Sequence, residues 1–457
     1  MSDHASLERA YAFYHDLTHH YVPGPQSLSY FLAPLFLFLA LLVPQSTLSS
    51  KTLAALFLPV IYGSAIHAWY VIGAVEVMSV TVVLWATALL GCRDGRTFVR
   101  VKWARNPGGQ VEEINGFTDI KAKSLEVAEH SGPITEEAHP ETLRARIPWV
   151  CALLVSLRLT GWRVGDGKHD AAQPAKQLSR SAFARHALAF VLFDFLILDA
   201  TFLYVRHDPY FTTSDMGIDE PFQNTHRATP TFIACMQMLP PRLLRCAILA
   251  AQVFAMVSGM FYLPTLPASL LNGIGLLPDE WSPHAWPVFF GNFLSIWDRG
   301  LRGLWGGWWH QINREFVSSP GKALMEALGL PKRSLVSYAL LITTSFLFSG
   351  ILHMGLIPPE PLVGSMSTSG MRLHVAAFFW VQIPGIVFET MVEGAVRRCM
   401  PDDRHRLSTK TIALLWTVAW LCLVLPMLTI PFRDIGYWTT SPVGKGILQP
   451  VIDFCGR

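Results

Sequence analysis

The chain is short of charge. Only 15% of its 457 residues are Asp, Glu, Lys or Arg, against 51% hydrophobic residues. A soluble chain of this length would carry more charge and split into two or three domains. The net charge of +3 comes with no dense basic stripe, which argues against nucleic-acid binding. The seven cysteines form no CxxC pair, so neither a disulfide framework nor a zinc site is expected. Internal repeats and low-complexity tracts are also missing. The opening MSDHASLERAYAFYHDLTHH lacks a charged n-region followed by a short apolar run, so it does not read as a cleavable signal peptide.

Long apolar runs are what the chain has instead. A bilayer core of about 30 Å needs about 20 apolar residues in a helix. Eight stretches qualify: 27–46, 52–70, 72–92, 184–206, 243–270, 335–357, 372–396 and 410–431. The expected fold is therefore all-α and integral to a membrane, with about eight spans. The stretch IPWVCALLVSLRLTGWRVG from Ile147 is interrupted by Arg158 and Arg163 and reads as an interfacial helix. Basic residues gather after the third span (Arg93, Arg96, Arg100, Lys102, Arg105), before the sixth (Arg299, Arg302, Arg314, Lys322, Lys332, Arg333) and before the eighth (Arg397, Arg398, Arg404, Arg406, Lys410). Eight crossings put all three loops on one side, the cytosolic one by the positive-inside rule. Both termini then face the lumen if the membrane is the endoplasmic reticulum. The expected organisation is a polar segment 1–26, three spans in 27–92, a mixed-charge cytosolic loop with an interfacial helix in 93–183, a core in 184–431 and a tail in 432–457.

The chemistry-bearing features are two histidines beside small residues. LWGGWWHQ, Leu304–Gln311, packs two glycines, three tryptophans and His310 into eight residues. Read as a helix, it sets Gly306 and Gly307 on the face of His310. Two glycines cost a helix about 1 kcal/mol each, which close approach of a substrate would offset. Trp305, Trp308 and Trp309 suit an interface or a tunnel wall. SGILHMG, Ser349–Gly355, repeats the theme inside the sixth span, where His353 has Ser349 and Gly350 at i−4 and i−3. Helix packing explains either histidine alone. The pair, one of them within the membrane, points to proton transfer, because intramembrane ionisable groups are costly to keep. The surrounding arginines suit a phosphate-bearing donor or serve as positive-inside anchors. Hydroxyl, base and such a donor together suggest acyl transfer from a coenzyme A thioester.

The stretch WPVFFGNFLSIWDRGLRGLWGGWWHQINR, Trp286–Arg314, together with Ser349-Gly350-x-x-His353, resembles the signature of the wax synthase-like branch of the membrane-bound O-acyltransferases. SLRLTGW, Ser156–Trp162, is similar to a stretch of fungal members. The resemblance covers roughly 147–400 and is specific at the two histidine motifs. It implies that His353 is the catalytic base and that His310 lies in the acyl-CoA channel. It implies donor contacts from Trp305, Trp309, Gln311, Arg302, Arg314 and Asn313. Leu304 stands where the family often has Phe, and Gly307 and Trp308 stand where it often has arginines. No permanently bound cofactor or metal is implied. Acyl-CoA, with acetyl-CoA favoured, is the co-substrate, and a lipophilic alcohol such as a terpenoid or meroterpenoid is the acceptor. A long-chain alcohol with fatty acyl-CoA is the alternative. A transporter would want two related halves, which the chain lacks, and a cyclase would want a carboxylic acid.

Other polar groups receive structural readings. HDLTHH, His15–His20, lacks the several further histidine boxes of a di-iron centre. Asp194 and Asp199 are five apart and so on different helix faces, which speaks against a paired magnesium site. Glu389 and Glu393, at i and i+4, read as a solvated helix end or a cavity lining. Glu76 and His67 have no assignable role.

Overall fold

The computed structural model describes residues 28–72, 76–102, 135–156, 159, 161–164, 180–213, 216–221, 238–278, 281–283, 286, 289–309, 311–331, 334–357, 366–399, 406–439 and 446–448. His310, the His15–His20 stretch and most of the 93–134 loop lie outside them.

Helices stand at all eight expected positions. They are α1 (Leu28–Leu42), α2 (Ser50–Ile72) and α3 (Glu76–Ala86, continued as a π-helical turn Thr87–Cys92); then, after α4 (Leu143–Val155), α5 (Arg180–Val205) and α6 (Pro241–Gly273). Next come the short α7 (Leu294–Gly303) and α8 (Arg314–Ala327), then α9 (Leu335–His353), α10 (Thr368–Trp380), α11 (Gln382–Cys399), α12 (Arg406–Val424) and α13 (Pro426–Asp434). Among the described residues, six helices are long and apolar enough to cross a membrane: Ser50–Ala68, Arg180–Val205, Pro241–Gly273, Leu335–Leu356, Thr368–Val396 and Thr409–Asp434. The first and third expected spans are shorter apolar helices, Phe31–Leu42 and Thr81–Cys92. The protein is thus a multi-pass helical membrane protein, with six spans rather than eight meeting the length requirement.

Two expected spans are broken where proline dictates it. Pro384 cannot donate to the carbonyl of Trp380, and its ring crowds it, so α10 ends there and α11 starts at Gln382. Pro426 separates α12 from α13 in the same way. The loop after α3 departs from the all-helical expectation. Its described parts hold a small antiparallel sheet, order β2-β1-β3, of β1 (Val99–Lys102), β2 (Thr135–Glu137) and β3 (Trp162–Arg163). Strands of four, three and two residues are too short to print an alternating pattern. The helix expected from Ile147 begins at Leu143, and its Trp149, Val150 and Leu153 pack into one core cluster with α1, α2 and α3.

Polar ties gather at the two ends of the bundle. At one end Arg180 donates to Asn272 (3.1 Å), Arg93 meets Glu326 (3.8 Å) and Lys410 pairs with Asp298. Arg93 and Lys410, from two of the basic loops, take part in these ties. At the other, Tyr210 bonds Thr429 (2.8 Å) and Arg433 donates to the Met216 carbonyl (3.1 Å). Asp199 there accepts from the amides of Ile447 and Leu448 (2.8 and 2.9 Å), pinning part of the tail to α5. Gly446 enables that clasp, since its φ is +67° and any side chain on it would overlap the Asp199 carboxylate. Asp194 is buried on α5 and makes no hydrogen bond among the described residues.

Two of the arginines are structural. Arg96, counted in the sequence with the exposed loop cations, is 1% exposed and binds Asp94 through Nε (2.9 Å) and Nη2 (2.7 Å) and the carbonyls of Pro44 and Leu48 (3.2 and 3.0 Å). Burial pushes the Asp94 carboxyl up, but the bonds from Arg96 and Ser50 outweigh it and hold it below its ordinary value. Stability from this pair is therefore present at neutral pH and lost as pH falls through the carboxylate range. Asp94→Asn should flatten the acid limb of a melting-temperature against pH curve. Arg245 grips Asp208 with two bonds of 2.9 Å, and both are essentially unexposed. Arg245→Ala strands a buried carboxylate and should cost about 3–5 kcal/mol. Thermal unfolding of the detergent-solubilised protein measures it, and a shift no larger than that of a surface substitution would contradict the assignment.

Candidate active site

The tryptophan–histidine motif folds as a broken element rather than the helix expected. α7 runs into a π-helical turn, Leu304–Trp308, and Trp309 is already extended (φ −63°, ψ 133°). Helical winding therefore stops at Trp309, so the described part of the motif is not the continuous helix expected. The turn is closed by its own amide, Trp309 N–H to the Leu304 carbonyl (2.8 Å). Phe289–Gly291 then zips onto the motif: Gly291 N–H donates to Trp308 O and Gln311 N–H to Phe289 O, both at 2.8 Å.

Each glycine of the region has a distinct reason. A side chain at Gly291 would overlap the Gly307 backbone, and one at Gly303 the Ser295 backbone. One at Gly307 would come 2.5 Å from Ser295 Oγ and 2.7 Å from the Arg299 guanidinium. Gly350, in the second motif, lies under the Trp380 indole and would meet the Ala376 carbonyl at 2.9 Å. These glycines serve close packing. Gly306 alone of this set faces open space: a side-chain carbon there would meet nothing within 4 Å, and the residue is solvent-exposed.

The segment enters and leaves at the basic end of the bundle yet reaches well into it. Trp308 stacks on Phe290 (5.4 Å, 22°) and on Phe254 of α6 (5.8 Å, 9°). Trp305 meets Phe346 of α9 (5.7 Å) and Phe378 of α10 (6.2 Å) edge-on. From there ring contacts run Phe378 to Phe379 (5.1 Å) and Phe379 to His353 (4.1 Å). Sequence-distant motifs are thus joined by one aromatic chain.

His353 is the last residue of α9. Its Nδ1 lies 2.7 Å from the carbonyl of Ser349, with Ser349 Oγ at 3.4 Å. A carbonyl only accepts, so Nδ1 carries the hydrogen and Nε2 keeps its lone pair. The helix supplies this partner at i−4, which fixes both tautomer and ring orientation.

The donor-binding candidates divide. Trp305 donates its indole N–H to Gln382 Oε1 (3.2 Å). Trp309 packs against Trp305, Trp308 and Phe290, and its carbonyl accepts from Gln311 Nε2 (2.9 Å). Gln311 is buried and takes a 3.4 Å bond from Arg314, which is itself exposed at the start of α8 beside Asn313. Trp305, Trp309, Gln311 and Arg314 therefore stand together. Arg302 turns away from this group and is engaged by Glu393 and Glu389 of α11. Two participants escaped the sequence reading. Gln382 is fully buried in an apolar run, where a lone amide was the available signal. Glu389, read as a solvated helix end, is 7% exposed and accepts from the amides of Leu301 (2.8 Å) and Arg302 (3.0 Å). No local pattern announces a pairing across 88 residues. Among the described residues no group of histidine, cysteine and carboxylate side chains is arranged to hold a metal.

A helical membrane protein with an inserted aromatic segment and an oriented histidine is the class these features define. Residues 286–381, which span both histidine motifs, match the model of the membrane bound O-acyl transferase family. The chain is similar to acetyltransferase ataH of Aspergillus terreus, at 30% identity over 37% of this chain and 52% of that protein. It is similar to acetyltransferase ple2 of Rhodocybe pseudopiperita at 26%, over 61% and 64%, and to acetyltransferase eriL of Hericium erinaceus at 21%, over 76% and 80%. The match to ataH thus spans about half of that relative's length. No solved structure matches the chain.

The glycine geometry gives a contrast that thermal unfolding can read. Gly350→Ala should destabilise by about 1–3 kcal/mol through overpacking against Trp380. Gly306→Ala, in open space, should stay within about 0.5 kcal/mol of the parent. Equal effects at the two positions would refute the division into packing and open-facing glycines.

Proposed function

We propose that the protein is an O-acyltransferase that moves an acetyl group from acetyl-CoA to a hydroxyl of a lipophilic acceptor, of the terpenoid or meroterpenoid kind, in the endoplasmic reticulum membrane. The observation that carries the reading is the oriented imidazole of His353 at the end of an aromatic chain leading from the tryptophan motif. The family match across both motifs and the acetyltransferase names of the relatives support the reaction class and the acetyl donor. The aromatic surroundings and the membrane location favour an apolar acceptor.

The chemistry needs few parts. The acceptor O–H gives its proton to His353 Nε2 while its oxygen attacks the thioester carbonyl carbon. The tetrahedral adduct collapses, the C–S bond breaks, and the coenzyme A sulfur takes up the proton from the imidazolium. An ester and free coenzyme A result, and no acyl-enzyme is required. Because Nδ1–H is committed to the Ser349 carbonyl, the ring cannot rotate to present the wrong nitrogen. In this reading His310 orients the reactants or polarises the thioester carbonyl. Trp305, Trp309, Gln311, Asn313 and Arg314 form the donor side, with Arg314 meeting a phosphate. Arg302, engaged by two carboxylates, contributes by holding the segment.

Membranes containing the wild type or His353→Ala, at matched protein abundance, are assayed with acetyl-CoA or a long-chain acyl-CoA and a panel of lipophilic alcohols. Loss of a general base should cut ester formation by about 10²–10⁴-fold. Unchanged turnover in the variant would remove His353 from the mechanism. A preference for the long-chain donor would replace the acetyl reading by wax-ester synthesis.

A further inference from the structure

α11 presents three polar groups along one face, at i, i+7 and i+11: Gln382, Glu389 and Glu393. All three engage the inserted segment. Gln382 Oε1 accepts from Trp305 (3.2 Å) and from Trp420 of α12 (3.3 Å), and its Nε2 donates to the Phe378 carbonyl (2.8 Å). Glu389 receives the amides of Leu301 and Arg302, one on each carboxylate oxygen. Glu393 holds the Arg302 guanidinium. Between them Ile386 packs with Ile296, Leu301 and Leu304.

The backbone at this clasp is unusual. Gly300 breaks α7 with φ 54° and ψ −131°, a conformation open to glycine. A side chain there would overlap the Glu389 carboxylate and crowd the Ala413 carbonyl at 3.2 Å. The break exposes two backbone donors within an apolar bundle, where water is not at hand to satisfy them. Glu389 satisfies both. Trp305, five residues past Gly300, is held in its turn by Gln382.

We propose that this face of α11 is the positioning element of the acyl-transfer site: Glu389 and Gln382 are positioning residues that fix the aromatic segment in register with the catalytic histidine. The proposal rests on the O-acyltransferase reading. Neither side chain touches a reacting atom in it. Each acts through the segment it holds, so losing one should lower turnover more than donor affinity.

The test uses the purified full-length protein in detergent. Gly306→Cys places a thiol in the open space beside Trp305, and its maleimide labelling rate, corrected for the same chain without the substitution, reports how firmly the segment is held. Glu389→Gln, Glu389→Leu and Gln382→Leu are introduced into this background. Met391→Ala, on the exposed flank of α11, is the control. Acetyl-CoA kinetics are measured in parallel without the label. Labelling should change about threefold or more in all three variants, and most in Glu389→Leu. The value of kcat should fall about tenfold or more, with KM for acetyl-CoA within about threefold and the graded order Gln above Leu at 389. Labelling rates equal to the control overturn the proposal. So does changed labelling with unchanged kcat, and so does activity lost only in proportion to folded protein. If the wild type transfers no acetyl group, the acyltransferase reading fails, and labelling alone decides whether α11 fixes the segment.

Discussion

A single carboxylate facing two backbone amides underlies the arrangement of this protein. Irregular backbone at membrane depth survives only where protein groups satisfy it. The inserted segment is irregular twice over, at the Gly300 break and again where the π-helical turn gives way to extended chain at Trp309. Glu389 answers the first break and the Phe289–Gly291 stretch of chain answers the second. With both satisfied, an otherwise costly excursion becomes a rigid support for tryptophan side chains.

That support links two sequence-distant motifs through one run of ring contacts. The indole of Trp305 is set by Gln382, its edge faces Phe346 and Phe378, and the rings of Phe378 and Phe379 carry the contact to His353. The histidine needs nothing remote to define its tautomer, because the Ser349 carbonyl of its own helix does so. Small residues then divide the labour. Gly291, Gly303, Gly307 and Gly350 let chains touch, whereas Gly306 leaves room.

Much of this was legible from the residues. Apolar runs marked every long helix among the described residues. The pairing of small residues with histidine drew attention to both motifs, although Gly307 and Gly350 turn out to serve close packing. Other features were not legible, for identifiable reasons. The proline breaks at Pro384 and Pro426 fall within runs whose hydropathy is continuous. The three-stranded sheet joins strands too short and too far apart to show a period. Arg96 looks like any loop cation until its partners Asp94, Pro44 and Leu48 are seen around it.

The sequence by itself determined that the chain lives in a bilayer and which two motifs resemble those of the acyltransferases. Hydrophobic transfer and the scarcity of ionisable groups in membrane helices act locally and leave their mark residue by residue. Only the tertiary structure decided that Leu304–Trp308 is a π-helical turn and not part of a straight helix, that Arg302 is spent on α11, and that Glu389 and Gln382 hold the inserted segment. The last two outcomes depend on hydrogen bonds between residues some 80 positions apart. Such pairings obey the geometry of the folded chain, and no window of sequence contains them.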